Sequence, residues 1–290
     1  MDNINNYMSL ERGMCSFAND TCSPLSKDEY NNAMEFFKAF YNCDLHQFHS
    51  ITKNAFAKMF GYKCDEETDT ETCISEMIPY CKSASRIVKT IRLSMDIVQL
   101  LMSTFPKLKV IHLIRDPRGM LISRMRTIPA LCIKRNDMGL PARAVCGRYD
   151  RDIKIGKSLE AKYPNRLKTV LYEQVVEKPF DTSLQIFKYL GLQPKSTFET
   201  WMNEHMANAE DKLKESDKRP DNRVQQFSTY RSNSSATMNA WRSKLRFDDV
   251  KNVDKECSHL YQYTGYMAVK SQLHLQNLNI SLRRSNAMFP

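Results

Sequence analysis

An apolar run that stops abruptly at charged residues constrains this chain more than any other feature of its sequence. Residues 109–114 read KVIHLI, and Arg-Asp-Pro-Arg follows at once. The run is too short for a helix and apolar almost throughout, which predicts a central strand buried on both faces. Asp116 followed by Pro117 predicts an N-cap and a first helical residue. The sequence therefore predicts a strand that is followed directly by a helix, with Arg115 at the junction.

The rest of the chain alternates between strand and helix patterns, which is typical of a parallel sheet covered by helices on both faces. We expect further strands at 85–92 and 167–173. Amphipathic patterns predict helices at 28–42, around 97–102, at 180–190 ending at Gly191, and around 250–261 ending at Gly265. No internal repeat divides the chain, so we expect an irregular segment at 1–27, one domain at 28–268 and a tail at 269–290. The polar, basic stretch 211–237 predicts a long loop.

Composition limits the class of protein and of partner. Apolar residues make up 42% of the 290 residues and charged residues 26%, which is enough apolar material for a sizeable core. The 43 Lys and Arg residues outnumber the 33 Asp and Glu residues and give a net charge of +10. Such a charge favours phosphates, acidic or sulfated glycans, nucleic acid or anionic lipid as partners. No basic helix, aromatic RNA-binding strand or zinc module is recognisable, so we expect no nucleic-acid partner.

The nine cysteines indicate an oxidising compartment. Their spacings match no zinc pattern of paired C-x2-C units, so we expect disulfides and no metal site. The pairing does not follow from the sequence, and the odd number leaves at least one thiol free or intermolecular. Three N-x-S/T sequons, at Asn19, Asn233 and Asn279, fit a secretory route.

The strand-to-helix junction also predicts an anion site. Ligands of open α/β sheets bind beyond the carboxyl ends of the strands, and Arg115 lies at such an end. Its guanidinium can bind two phosphate oxygens, Ser123 adds a hydroxyl, and Gly119 on the same helix face would let a ligand approach. The alternative is that Arg115 pairs with a carboxylate at the sheet edge and Ser123 caps a turn.

Three separated segments resemble the Golgi carbohydrate sulfotransferases. They read LKVIHLIRDPRGMLISRM from Leu108, VLYEQVVEKPFDTSLQIFKYLGL from Val170 and ATMNAWRSKLRFDDVKNVDKECSHLYQYTGY from Ala236. Their order along the chain is that of the family, and together they are far more specific than any one of them.

The resemblance implies a P-loop-type, three-layer α/β fold in which helices flank a central parallel sheet. It implies 3′-phosphoadenosine 5′-phosphosulfate as the sulfuryl donor, without a metal, and a hydroxyl of a glycosaminoglycan or glycoprotein glycan as the acceptor. By position in the family motifs, Arg115 and Ser123 hold the donor's 3′-phosphate and Tyr172 lies near the adenine. Arg242 is a second candidate for the 3′-phosphate, and its alternative is a surface arginine lying on the indole of Trp241. No catalytic base is assigned.

One departure from the family bears on activity. Relatives carry a loop of the form Arg-x-Gly-Ser-Ser that surrounds the 5′-phosphosulfate, and this string does not occur in the chain. We therefore expect the sequence to begin downstream of that loop and of a membrane anchor, to belong to a type II protein of the Golgi lumen, and to transfer sulfate poorly as written. A non-catalytic nucleotide- or glycan-binding relative of the same fold is the alternative. Lys89 and Arg92 could face the donor or acceptor or be a solvated pair, and we interpret His112 as a satisfied core histidine rather than a base.

Overall fold

A computed structural model describes residues 15–16, 21–22, 27–48, 67–90, 93–127, 138–206 and 234–284. Where the sequence predicted one domain over 28–268, the chain divides into two compact units. The first comprises Met1–Ser16 and Cys22–Leu108, and the second comprises Phe17–Thr21 and Lys109–Pro290. Two strands of two residues, β1 (Cys15–Ser16) and β2 (Thr21–Cys22), lie near the N-terminus.

Between residues 27 and 108, the described part of the first unit is largely helical. It contains α1 (Lys27–Asn42), a 3-10 turn (Leu45–Phe48), α2 (Thr70–Ser83) and α3 (Met95–Thr104). The predicted helices at 28–42 and 97–102 are therefore confirmed. The Cys43–Cys81 disulfide lies within a small core, whose other buried members include Ala39, Phe40, Leu45, Cys73, Ile74 and Met77.

The strand predicted at 85–92 is wrong for residues 85–90, which have no regular secondary structure, and positions 91 and 92 lie outside the described residues. The side chain of Ile87 is 79% exposed. A β-branched run becomes a strand only when it pairs with a neighbouring strand and buries one face, and the described part of this run does neither.

The second unit holds a small parallel sheet of two strands, β3 (Val110–Ile114) and β4 (Leu167–Leu171). Their register runs from Val110 opposite Leu167 to Ile114 opposite Leu171. The prediction that β3 is buried on both faces is wrong, because Leu113 is 55% exposed and Ile111 37%. Among the described residues no third strand lies beside β3.

Helices make up most of the described part of the chain, beside a small parallel sheet, which is compatible with the expected α/β fold. Those of the second unit are α4 (Pro117–Thr127), α5 (Gly139–Lys162), α6 (Tyr172–Glu177), α7 (Pro179–Leu190), α8 (Phe198–Met206), α9 (Ser234–Asn239), α10 (Trp241–Lys244), α11 (Phe247–Thr264) and α12 (Gln272–Gln276). The sequence did not predict α5. It did predict the ends of α7 and α11, where Gly191 and Gly265 adopt φ of 74° and 76°.

The core of the second unit forms where α5 packs against α11. The Cys146–Cys257 disulfide joins these two helices, so the predicted disulfides are confirmed. Core residues also come from the predicted tail, since Val269, Leu275 and Leu282 are buried in the same cluster. No helix in the described part of the chain is long and apolar enough to cross a membrane.

Part of the predicted loop at 211–237 is helical. Its residues 234–237 belong to α9, and its residues 211–233 lie outside the described residues.

Candidate functional site

The candidate site lies at the carboxyl ends of the two parallel strands. Ile114 and Leu171 are the last paired residues, and Arg115 and Tyr172 follow them directly. The guanidinium carbon of Arg115 lies 4.5 Å from the centre of the Tyr172 ring. The structure thus brings together two of the residues that the sequence analysis assigned to the site, in a cation–π contact.

The helix begins where the sequence predicts it. Pro117 is the first residue of α4, and Oδ1 of Asp116 accepts a hydrogen bond from the backbone N–H of Arg118 at 2.9 Å. The carbonyl of Asp116 accepts from the N–H of Met120 at 2.9 Å. The N-cap prediction for Asp116 is confirmed, and it places Arg115 immediately before the helix N-terminus.

Arg118, the second arginine of the motif, is fully buried and bonded to three residues. Its guanidinium donates to both carboxylate oxygens of Asp116, at 2.7–3.2 Å, and to Oδ1 of Asp254 at 3.2 Å. It also donates to the carbonyl of Met267 at 2.9 Å and lies 4.3 Å from the centre of the Trp241 ring. Burial opposes its charge, but the two carboxylates outweigh burial and raise the pKa of Arg118. This arginine holds the site together, and its guanidinium is enclosed by protein groups rather than open to a ligand.

Arg115 has the opposite surroundings. It is half-buried, and among the described residues no carboxylate or hydrogen-bond acceptor engages its guanidinium. Oriented by the Tyr172 ring and set beside a helix N-terminus, it offers its donors to an anion. The alternative of a carboxylate partner for Arg115 is therefore wrong for the described part of the chain.

Gly119 has a different role from the one predicted. A Cβ atom at this position would lie 3.3 Å from Cδ1 of Trp241 and 3.4 Å from Nε of Arg115. The glycine therefore lets protein side chains, rather than a ligand, approach the helix. Ser123 lies one turn further along the same face of α4 and is half-buried.

Glu173 is a site residue that sequence reasoning missed. It is buried, and its Oε1 accepts from the backbone N–H of Asp116 at 3.1 Å. Its Oε2 accepts from the hydroxyl of Tyr266 at 2.6 Å. Burial and the neighbouring charge of Asp116 raise the pKa of Glu173. Both partners are remote in the sequence, so no spacing could have indicated these contacts.

Arg242 does not join this group. Its side chain is 3% exposed and donates to four backbone carbonyls, those of His274, Leu275, Asn277 and Ile280, at 2.6–3.0 Å. These contacts fasten the segment around α12 to α10. The alternative of a surface arginine on the indole is wrong as well, because the cation that lies on Trp241 is Arg118.

The remaining candidates lie elsewhere. Lys89 is exposed and belongs to the first unit, while position 92 lies outside the described residues. His112 is not a satisfied histidine within the part of the chain that the structure describes, because its buried Nδ1 has no hydrogen-bond partner there. Burial lowers the pKa of His112 to about 4. In the described ranges no cluster of His, Cys, Asp or Glu side chains could hold a metal ion.

The strand ends, the aromatic face of Tyr172, the start of α4 and a guanidinium of Arg115 with no acceptor among the described residues together form a candidate anion site on an α/β scaffold. The model of the Sulfotransferase family matches residues 14–196, which is more than half of the chain. The chain belongs to this family.

Curated relatives are carbohydrate sulfotransferases. Carbohydrate sulfotransferase 1 of Danio rerio is 27% identical over 216 residues, which cover 70% of this chain and 49% of the relative. Carbohydrate sulfotransferase 6 of Homo sapiens is 26% identical over 222 residues, 70% of this chain and 53% of the relative. Carbohydrate sulfotransferase 5 of Mus musculus is 26% identical over 192 residues, which cover 60% of this chain and 46% of the relative. The chain thus spans about half the length of the curated relatives it matches. No solved structure matches it significantly.

Proposed function

We propose that this protein transfers a sulfuryl group from 3′-phosphoadenosine 5′-phosphosulfate to a hydroxyl of a glycan. Membership in the Sulfotransferase family and the carbohydrate sulfotransferases among its relatives support the reaction class and the acceptor class. The observation that carries the proposal is the half-buried guanidinium of Arg115, which has no carboxylate partner in the described part of the chain and lies on Tyr172 at the strand ends.

The donor's 3′-phosphate is the group that suits Arg115. A guanidinium can donate two parallel hydrogen bonds to one phosphate, and the start of α4 favours the same negative charge. Ser123, one turn along α4, supplies a hydroxyl donor for that phosphate in this proposal. Tyr172 supplies an aromatic face for the adenine. Arg242 is left out, because it is buried and four of its N–H groups donate to backbone carbonyls.

The bound donor supplies an activated sulfur atom. The glycan hydroxyl oxygen forms a bond to this sulfur, and the bond between the sulfur and the 5′-phosphate oxygen breaks. 3′-Phosphoadenosine 5′-phosphate leaves, and the hydroxyl proton passes to a base. The described residues suggest no candidate for that base. What they contribute is binding and orientation, on which group transfer between oxygens depends. Arg115 would hold the donor at its 3′-phosphate, remote from the reacting sulfur. It therefore contributes to the affinity for the donor and to the position of the donor in the site.

The acceptor and the compartment are proposed from charge and cysteine chemistry. A net charge of +10 suits an anionic glycan such as a glycosaminoglycan, or a glycoprotein glycan at a sulfated terminus. The disulfides Cys43–Cys81 and Cys146–Cys257 support folding in an oxidising lumen, and the Golgi is the compartment we propose. The P-loop-type, three-layer architecture belongs to the same proposal.

Calorimetric titration with two nucleotides tests the donor site. Arg115→Ala should lower the affinity for 3′-phosphoadenosine 5′-phosphate by about 2 kcal/mol, roughly 30-fold, because a charge-assisted contact is lost. The affinity for adenosine 5′-phosphate should barely change, since that nucleotide lacks the 3′-phosphate. Arg143→Ala, which removes an exposed arginine bonded to Glu256, is the matched control and should affect neither. Equal losses for both nucleotides in the Arg115 variant would refute the assignment.

The reaction itself is tested by a transfer assay with radiolabelled sulfate on a panel of glycan acceptors. Labelled glycan that depends on Arg115 supports the proposed reaction. Because the string Arg-x-Gly-Ser-Ser does not occur in the chain, weak or absent transfer by this chain alone does not separate the two alternatives. Selective nucleotide binding without transfer, even by a protein that carries such a loop upstream of these residues, would favour a non-catalytic relative.

A further inference from the structure

The backbone pairing of the two strands ends just before the proposed donor site. Ile114 and Leu171 are the last residues in register, so the ladder itself does not fix Arg115 or Tyr172. The next connection between the two chain segments is made by a side chain. The N–H of Asp116 belongs to the peptide group that joins Arg115 to Asp116, and it donates to Oε1 of Glu173 at 3.1 Å.

This contact orients Arg115 from the Tyr172 side. Glu173 is the residue after Tyr172, so its carboxylate ties the peptide group of Arg115 to the segment that carries the aromatic ring. The guanidinium of Arg115 then lies 4.5 Å from the ring centre. A buried hydrogen bond to a carboxylate is stronger than one between neutral groups, so it can hold this peptide group in one orientation.

The second carboxylate oxygen of Glu173 connects this residue to the segment that follows α11. Oε2 accepts from the hydroxyl of Tyr266 at 2.6 Å, and Tyr266 is 2% exposed. Tyr266 follows Gly265 at the end of α11 and forms a backbone bridge with Arg283. The hydroxyl of Tyr266 therefore restrains the Glu173 carboxylate, which has little freedom to move when a ligand binds.

The chemistry of Glu173 is unusual for a purely structural residue. It is a buried carboxyl with no Lys or Arg partner among the described residues, and it lies beside a second carboxylate, Asp116. Such a group lowers stability unless its hydrogen bonds compensate, and an apolar residue would fill the same space at lower cost. An apolar residue could not accept from the Asp116 N–H.

We propose that Glu173 is a positioning residue of the donor site, which holds the Arg115–Asp116 peptide group and thereby sets the guanidinium of Arg115 over Tyr172 for the 3′-phosphate. The part of this inference that concerns the 3′-phosphate rests on the proposed function. The part that concerns the position of Arg115 does not, and it is testable without a nucleotide.

The first measurement is the NMR signal of the Arg115 side chain in the ligand-free protein. In the wild type, the Tyr172 ring current should shift the Arg115 Hδ and Hε signals upfield, and Tyr172→Leu should remove that shift. Glu173→Ala should also remove it, whereas Glu173→Gln should keep it, because its amide oxygen can still accept from the Asp116 N–H. An unchanged shift in Glu173→Ala would overturn the proposal.

The second measurement is the ratio of affinities for 3′-phosphoadenosine 5′-phosphate and adenosine 5′-phosphate. Glu173→Ala should lower this ratio about tenfold, since a displaced guanidinium loses its aligned contacts, and Glu173→Gln should restore most of it. The control is Asp249→Ala, which removes another buried carboxylate, bonded to Arg246. It should lower stability and leave the ratio unchanged.

The two proposals fail in different ways. If Arg115→Ala lowers the ratio and Glu173→Ala does not, Glu173 is structural and only this inference is overturned. If Arg115→Ala leaves the ratio unchanged, the donor assignment fails, and the ring-current shift alone decides whether Glu173 positions Arg115. Should Glu173→Ala not fold, Tyr266→Phe replaces it, because it frees one carboxylate oxygen and keeps the ring. A partial loss of the upfield shift is then expected, and no change at all would count against the proposal.

Discussion

The guanidinium carbon of Arg118 lies 4.3 Å from the centre of the Trp241 ring. Arg118 lies in the part of the chain that the family model matches, residues 14–196, and Trp241 lies beyond it. The contact joins the start of α4 to α10. The C-terminal part of the second unit therefore supports the site, even though no residue of that part is proposed to touch the donor.

Stability should depend strongly on Arg118. Replacing it by Met keeps much of the apolar stem but leaves the buried carboxylates of Asp116 and Asp254 without their cation. We expect Arg118→Met to lower the free energy of unfolding by about 3–5 kcal/mol, measured by urea denaturation. Arg143→Ala, at the exposed pair with Glu256, should cost about 1 kcal/mol or less in the same assay. A loss below about 1 kcal/mol for the Arg118 variant would show that the buried network contributes little.

Gly119→Ala tests how tightly Arg115 is confined. The new Cβ would lie 3.3 Å from Trp241, which is 3% exposed and has no room to move, and 3.4 Å from Nε of Arg115, which can. The displaced guanidinium should weaken binding of 3′-phosphoadenosine 5′-phosphate about three- to tenfold in calorimetry. Helix propensity favours Ala over Gly by about 1 kcal/mol. This gain opposes the cost of crowding Trp241, so the free energy of unfolding should change little.

Gly147→Ala is the matched control for that variant. Gly147 is an exposed glycine in the interior of α5, remote in sequence from the anion site. The same change there should raise stability slightly and leave nucleotide affinity unaltered. Unchanged affinity in Gly119→Ala would mean that Arg115 tolerates the extra methyl group without moving.

Local features of the sequence were sufficient to predict the junction between β3 and α4. Asp116 caps the helix, Pro117 starts it, and Gly191 and Gly265 end later helices in left-handed conformations, because each of these properties belongs to a residue and its nearest neighbours. The amphipathic helices followed from periodicity for the same reason.

Features that depend on remote partners could not be predicted. The residue types of Arg-Asp-Pro-Arg do not show which of the two arginines is buried in an ion pair. Arg118 pairs with Asp254, 136 residues away, whereas Arg115 has no such partner among the described residues. Glu173 is bonded to Asp116 and Tyr266, 57 and 93 residues away. The exposure of Leu113 likewise depends on whether another element covers β3, which cannot be read from the residue type at position 113.

His112 should make the protein less stable as the pH falls. Its pKa is about 4 in the folded protein, because burial of the imidazole disfavours the charged form, against 6.5 in the unfolded chain. Above pH 6.5 both states are neutral at this position. Between pH 6.5 and pH 4 the unfolded chain binds the proton and the folded protein does not, so the free energy of unfolding should fall by up to about 1.4 kcal/mol per pH unit.

The measurement is urea denaturation at intervals from pH 8 to pH 4, for the wild type and for His112→Leu. The variant cannot bind the proton at this position, so its stability relative to the wild type should increase steadily as the pH falls through that window. The raised pKa values of Glu173 and Asp254 act in the opposite direction, because their folded forms retain protons that the unfolded chain releases as the pH rises. Both proteins keep these two carboxyls, so their effect cancels in the difference. A difference that stays constant from pH 6.5 to pH 4 would mean that the His112 imidazole is hydrated or protonated in the folded protein.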